Sequence, residues 1–210
     1  MILELTAATL GNQRNCVPAG RFWAKYVKRV STVREIHNLA LVGFMGTGKS
    51  SVGQLVAAQL HFRFVDTDEL IEARAGKTIS AIFAEEGEAQ FREYERAVVE
   101  ELKNFHRAVI ATGGGLVTRD ESLASLKTHA LVVCLWASPE TIWERINHQS
   151  HRPLLHAPDP LAKIRQLLSE REPFYRNADV LVSTELRSVN EVVQHVIHPF
   201  RLARGQPSHR

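Results

Sequence analysis

The chain has 210 residues, 44% of them hydrophobic and 23% charged, with a net charge of +3, an ordinary composition for a soluble globular protein with room for one α/β domain. No run of about 18 apolar residues offers a membrane span, and Met1-Ile2-Leu3-Glu4 lacks the basic start of a secretory signal. Two cysteines, Cys16 and Cys134, give neither a disulfide framework nor metal-ligand spacing, which fits a reducing, cytoplasmic setting.

Charge divides the chain. Residues 1–35 carry six Lys/Arg against two Glu and residues 201–210 carry three Arg, whereas residues 36–200 hold 17 Lys/Arg against 21 Asp/Glu. The basic ends read as an N-terminal extension (1–35) and a basic C-terminal tail (201–210), solvated rather than bound to nucleic acid. Within the extension, Phe22, Trp23, Tyr26, Val27 and Val30 share one face of a possible helix, with Lys25, Lys28 and Arg29 largely opposite. Such a helix can dock on the body, bind a partner or lie on a membrane surface; docking is the expectation. The last ten residues are expected to be disordered.

The body, residues 36–200, opens with a core strand at 39–42. It runs into Gly43-Phe44-Met45-Gly46-Thr47-Gly48-Lys49-Ser50, the G-x-x-x-x-G-K-S phosphate-binding pattern, and a helix over 51–60. Glycines allow backbone N–H groups to turn inward around a phosphate, and the helix N-terminus adds positive potential. In such a loop Lys49 reaches the β- and γ-phosphates of a nucleotide and the Ser50 hydroxyl ligates Mg²⁺. A strand over 61–65 ends in Asp66-Thr67-Asp68. One of these carboxylates can serve the metal and the other an acceptor hydroxyl, or Asp68 can cap the helix that begins near Glu69.

Helices are expected over 78–83 and 88–104. Arg92 and Glu95 are three residues apart on the second, so the acid either aims the guanidinium at an anionic substrate or forms a surface pair. A strand over 108–111 leads into Thr112-Gly113-Gly114-Gly115, where ligand can approach the backbone closely. Strands at 131–135 and 179–182 and helices at 139–147, 161–174 and 188–198 complete the body. Residues 148–160, with three prolines, form a loop whose Arg152 can close over phosphates. Alternating strands and helices predict an α/β fold, a single P-loop kinase domain with a five-stranded parallel sheet flanked by helices and a lid loop.

Six motifs in series resemble the shikimate kinase family across about residues 36–200: the P-loop, Phe64-Val65-Asp66-Thr67-Asp68, Phe91-Arg92-Glu93-Tyr94-Glu95, Thr112 to Gly115, Arg152-Pro153-Leu154-Leu155, and Arg171-Glu172-Pro173-Phe174-Tyr175. The resemblance implies ATP-dependent phosphorylation of the shikimate 3-hydroxyl, on the route to chorismate and aromatic amino acids, by a cytoplasmic monomer with ATP and Mg²⁺ and without nucleic-acid or membrane partners. It assigns the nucleotide to Gly46, Thr47, Gly48, Lys49, Ser50, Ser51, Arg145 and Arg152, with Arg145 against the adenine. It assigns Mg²⁺ to Ser50 and Asp66. Shikimate falls to Asp68, the candidate base, to Arg92 and Arg171 on its carboxylate, to Gly113, Gly114 and Gly115, and to an apolar wall of Phe83 and Phe91. Lys49, Asp68 and Arg152 are the catalytic set.

Overall fold

The structure, a computed structural model, describes residues 34–148 and 158–205. The extension helix and Cys16, the lid residue Arg152, and the end of the tail therefore lie outside the described residues.

All five residues of the first strand, β1 (Asn38–Val42), are buried. Side chains alternate across a strand, so Leu39 and Leu41 join one core while Ala40 and Val42 join another on the opposite face. The strands β2 (Arg63–Asp66), β3 (Ala108–Ala111), β4 (Ala130–Trp136) and β5 (Val180–Ser183) pair with it in the order β2-β3-β1-β4-β5, every pair parallel. The expected five-stranded parallel sheet is thus present. Being covered on both faces explains why its strands read as continuous apolar runs. Cys134, in β4, is a free, fully buried thiol whose pKa burial pushes up to about 12.

Two helices, α1 (Lys49–Leu60) and α8 (Val189–Ala203), close one face through Val52, Val56, Val193, Val196, Ile197 and Phe200. The other face is covered by α2 (Thr67–Ala75), α3 (Ile79–Glu85), α4 (Gly87–Leu102), α5 (Asp120–His129), α6 (Pro139–Ile146) and α7 (Pro160–Tyr175). Ser138 caps α6 with Pro139 at its first position, and Ser188 and Glu191 form a reciprocal capping box on α8.

Five local expectations change. His61 is not the start of a strand: it caps α1 in the left-handed conformation (φ 53°), and β2 begins at Arg63. Asp66, not Asp68, caps α2, its side chain accepting the Asp68 N–H at 3.0 Å. Helix α5 lies in a stretch where no element was expected. Helix α8 continues past Pro199 because the buried Phe200 anchors its last turn, so residues 201–203 of the expected tail are helical. Arg34, counted with the extension, is docked on the body: its guanidinium pairs with Asp179 and donates to the Lys127 carbonyl.

Candidate active site

A cleft opens at the carboxyl ends of the strands, the usual ligand position in an open parallel sheet. Its volume is about 430 Å³, and its lining includes Met45, Gly46, Gly48, Lys49, Ser50 and Ser51 from the loop after β1, Asp66 and Asp68 after β2, Thr112 and Gly114 after β3, and Arg145 from α6.

The loop after β1 is fixed by its own carbonyls and by β4. Gly43 has φ 135°, and a Cβ there would lie 2.3 Å from the Leu135 carbonyl oxygen, so no other residue fits. The Thr47 side chain turns inward, donating to the Phe44 carbonyl at 2.7 Å. It is buried, so the loop's shape rather than a ligand uses its hydroxyl. Lys49 Nζ donates to the Gly43 and Phe44 carbonyls, both at 3.0 Å, which folds its charge over the loop. The Ser50 hydroxyl donates to Asp66 Oδ2 at 3.0 Å. A hydroxyl and a carboxylate held this close at the cleft wall are a donor set that fits a hard divalent cation. Arg145 is pinned by Thr184 (Nη1 to Oγ1 and Nη2 to the carbonyl, both 2.9 Å) and reaches the Gly46 carbonyl at 3.4 Å. Its planar cation therefore sits at the rim of the phosphate loop.

On the opposite side the three glycines each serve a different neighbour. A Cβ on Gly113 would lie 2.5 Å from Asp68 Oδ1, and one on Gly115 would lie 3.3 Å from Arg92 Nη1. The Gly114 carbonyl accepts from Arg171 Nη1 at 3.3 Å and from the Tyr175 hydroxyl at 2.8 Å. The turn between β3 and α5 thus meets Asp68, Arg171 and Arg92 at successive glycines; of the three side chains Asp68 lines the cleft, while Arg92 borders a smaller neighbouring cavity. The Gly113 N–H is consumed by Thr67 Oγ1 at 2.9 Å, so Gly113 supplies clearance rather than a donor.

Asp68 has the most informative surroundings. Among the described residues its carboxylate accepts no hydrogen bond, although it is half-buried. Burial, with the Asp66 charge assisting and Lys49 opposing, pushes its pKa up to about 6. A carboxylate in that range is matched to accepting a proton near neutral pH. Arg92 and Glu95 pair, and the pair is not a surface one on the acid's side: Nη1 donates to the buried Glu95 Oε2 at 2.7 Å. Phe83 and Phe91 pack together with ring centroids 4.6 Å apart. Phe91 belongs to the core, so Phe83, 41% exposed, supplies the open face of the pair.

Three contributors were not singled out in the sequence. Tyr175 and Thr67 position the glycine turn, and Thr184 positions Arg145. Thr67 lies between the two aspartates and Tyr175 closes the last motif, so the motif itself was their signal.

Comparison with known proteins agrees with this geometry. The family model described as shikimate kinase matches residues 45–201. The chain is 43% identical over 169 residues to the shikimate kinase of Caldanaerobacter subterraneus subsp. tengcongensis, covering 80% of this chain and 99% of that protein. It is 45% identical over 170 residues to that of Thermodesulfovibrio yellowstonii, covering 80% and 98%. Among solved structures, shikimate kinase from Acinetobacter baumannii in complex with shikimate superposes with a TM-score of 0.74 at 37% identity, covering 79% of this chain and 93% of that one.

Proposed function

The chain belongs to the shikimate kinase family, and from that premise we propose how the residues of its cleft divide the work. The enzyme is an ATP-dependent kinase that transfers the γ-phosphoryl group of ATP to the 3-hydroxyl of shikimate, giving ADP and shikimate 3-phosphate, a step toward chorismate.

The phosphate loop and the N-terminus of α1 hold the nucleotide phosphates, with Lys49 leaving its loop carbonyls to bridge the β- and γ-phosphates. Arg145 lies against the adenine. Ser50 and Asp66 would hold Mg²⁺, which when bound neutralises charge on the β- and γ-phosphate oxygens. Arg92 and Arg171 bind the shikimate carboxylate, a role suited to planar guanidinium groups. Asp68 accepts hydrogen bonds from ring hydroxyls, orients the attacking one, and takes its proton as the new P–O bond forms. Phosphoryl transfer asks mainly for alignment and charge neutralisation, so Asp68 contributes more as a positioning group than as a strong base. Arg152, from outside the described residues, completes the neutralisation when the lid closes. A cytoplasmic monomer is part of the same reading.

The observation that carries this reading is Asp68: a half-buried carboxylate that accepts no hydrogen bond among the described residues, set between Lys49 and the glycine turn that also meets Arg92 and Arg171. That space suits a small ring bearing both a carboxylate and hydroxyls. Side-by-side turnover of shikimate and gluconate with ATP tests it. Strong preference for shikimate is expected; preference for gluconate contradicts it.

A further inference from the structure

The two arginines of the carboxylate clamp are unequally balanced. Among the described residues Arg171 has no carboxylate partner; it donates to a backbone carbonyl. Arg92 has two. Glu95 Oε2 takes Nη1 at 2.7 Å, and Glu88 Oε1 takes both Nε at 3.2 Å and Nη2 at 2.7 Å. The two acids differ in kind. The Glu95 side chain is 6% exposed, so it is a fixed part of the wall, whereas that of Glu88 is 67% exposed, in the first turn of α4.

Glu88 therefore sits on the side edge of the guanidinium, one of the two edges by which arginine receives a carboxylate with paired N–H groups. The exposed Glu88–Arg92 pair is also the weaker of the two, since water and salt screen it. A second cation is at hand. Arg119, at the N-terminus of α5, borders a small cavity with Arg92 and Glu95 and has no ion-pair partner among the described residues. Its charge acts on Glu88: the Arg92 hydrogen bond and charge, with a smaller contribution from Arg119, hold the Glu88 carboxyl below the usual range.

We propose that Glu88 is a built-in competitor for the substrate carboxylate: it holds the side edge of Arg92 in the free enzyme and swings toward Arg119 when shikimate binds. This rests on the assignment of Arg92 to the shikimate carboxylate. Shikimate then displaces an internal carboxylate instead of water, and its apparent affinity is lowered by the strength of that internal pair. Glu88 is a positioning residue, acting on substrate only through Arg92.

The test is steady-state kinetics of the full chain with Glu88→Gln, Arg119→Gln, the double variant and Arg92→Ala. Glu88→Gln is expected to lower the shikimate KM by roughly two- to fivefold, the range set by an exposed ion pair, with the ATP KM and kcat close to wild type. Arg119→Gln is expected to raise the shikimate KM in the wild-type background and to have no effect once Glu88 is Gln. A shikimate KM that rises or stays constant in Glu88→Gln overturns the proposal, because Glu88 would then support Arg92 or be idle. An equal effect of Arg119→Gln in both backgrounds overturns the hand-over. Arg92→Ala separates the two levels of failure. If it leaves the shikimate KM unchanged, the clamp assignment itself is wrong; if it raises KM while Glu88→Gln does not lower it, only the competition is wrong.

Discussion

At the carboxyl ends of the five strands, polar side chains face a cleft and hold one another loosely; at the amino ends of the same strands they are closed on each other. Asn38, the first residue of β1, is fully buried and uses its whole amide. Its Nδ2 donates to the Phe105 carbonyl and meets His129 Nδ1 at 3.0 Å, while Oδ1 accepts the Ala108 N–H at 3.0 Å. Asp179, just before β5, accepts the Val132 N–H at 2.9 Å and pairs with Arg34, with Lys127 at 3.4 Å. These contacts stitch β1, β3, β4 and α5 together. At the other end, Lys49 and Arg171 rest on backbone carbonyls and Asp68 on nothing described. Buried polar groups left unsatisfied cost stability, so the amino end is where the fold is fastened and the carboxyl end is where that cost is accepted for ligands.

Substitutions at the two ends test this division. The largest effect is expected from Lys49→Ala, which removes the one lysine folded over the phosphate loop: turnover should fall by at least roughly a hundredfold with the thermal midpoint little changed. Asp68→Asn should likewise suppress turnover, and it should hold or raise the midpoint, because a half-buried carboxylate that accepts no hydrogen bond among the described residues is gone. Midpoints that collapse in either variant would show that the cleft also fastens the fold. Gly113→Ala is the sharper probe. The added Cβ meets the movable end of Asp68, not backbone, so the fold should survive while kcat drops by up to about a hundredfold from a displacement near 1 Å.

The amino end should behave in the opposite way. Asn38→Ala leaves buried groups at Phe105, Ala108 and His129 without partners, and a loss of about 2–3 kcal/mol is expected by denaturant titration, with kcat per folded molecule unchanged. Altered kcat in that variant would tie the two ends together. The smallest effect concerns pH. His129 is the exception at this end: its buried Nε2 has no partner among the described residues, and burial, with the charges of His37, Lys103 and His106, lowers its pKa. The folded state thus resists the proton that the unfolded chain accepts near pH 6.5. Stability should be unaffected above that value and fall as pH drops through it, by less in His129→Leu than in wild type.

Much of this was legible in the sequence because the relevant chemistry is local. The central strands β1, β3 and β4 are continuous apolar runs, and the phosphate loop, Asp66-Thr67-Asp68, Arg92 with Glu95 and the three glycines all lie within single turns. What was missed depends on tertiary context. Helix α5 buries Ser122 and Ser125 beside Leu123 and Leu126, so its inner face looks polar. His61 adopts a left-handed cap that glycine usually marks. Helix α8 runs through Pro199, a residue that normally argues for an end, because Phe200 is buried beyond it. The separate tasks of the three glycines required the positions of Asp68, Arg92 and Arg171 in space. Glu88, four residues before Arg92, was visible at helical spacing, but its exposure is what distinguishes it from Glu95.

On the proposed assignment, the acceptor-side residues, above all the arginine clamp, turn a general phosphate loop into a shikimate site. The most direct test is the rate of ADP release as shikimate is varied at saturating ATP, for wild type and Arg92→Ala. Loss of a charge-assisted pair worth about 1.5–3 kcal/mol predicts a shikimate KM raised by roughly 10- to 150-fold with the ATP KM unchanged; a shikimate KM equal to that of wild type would contradict it.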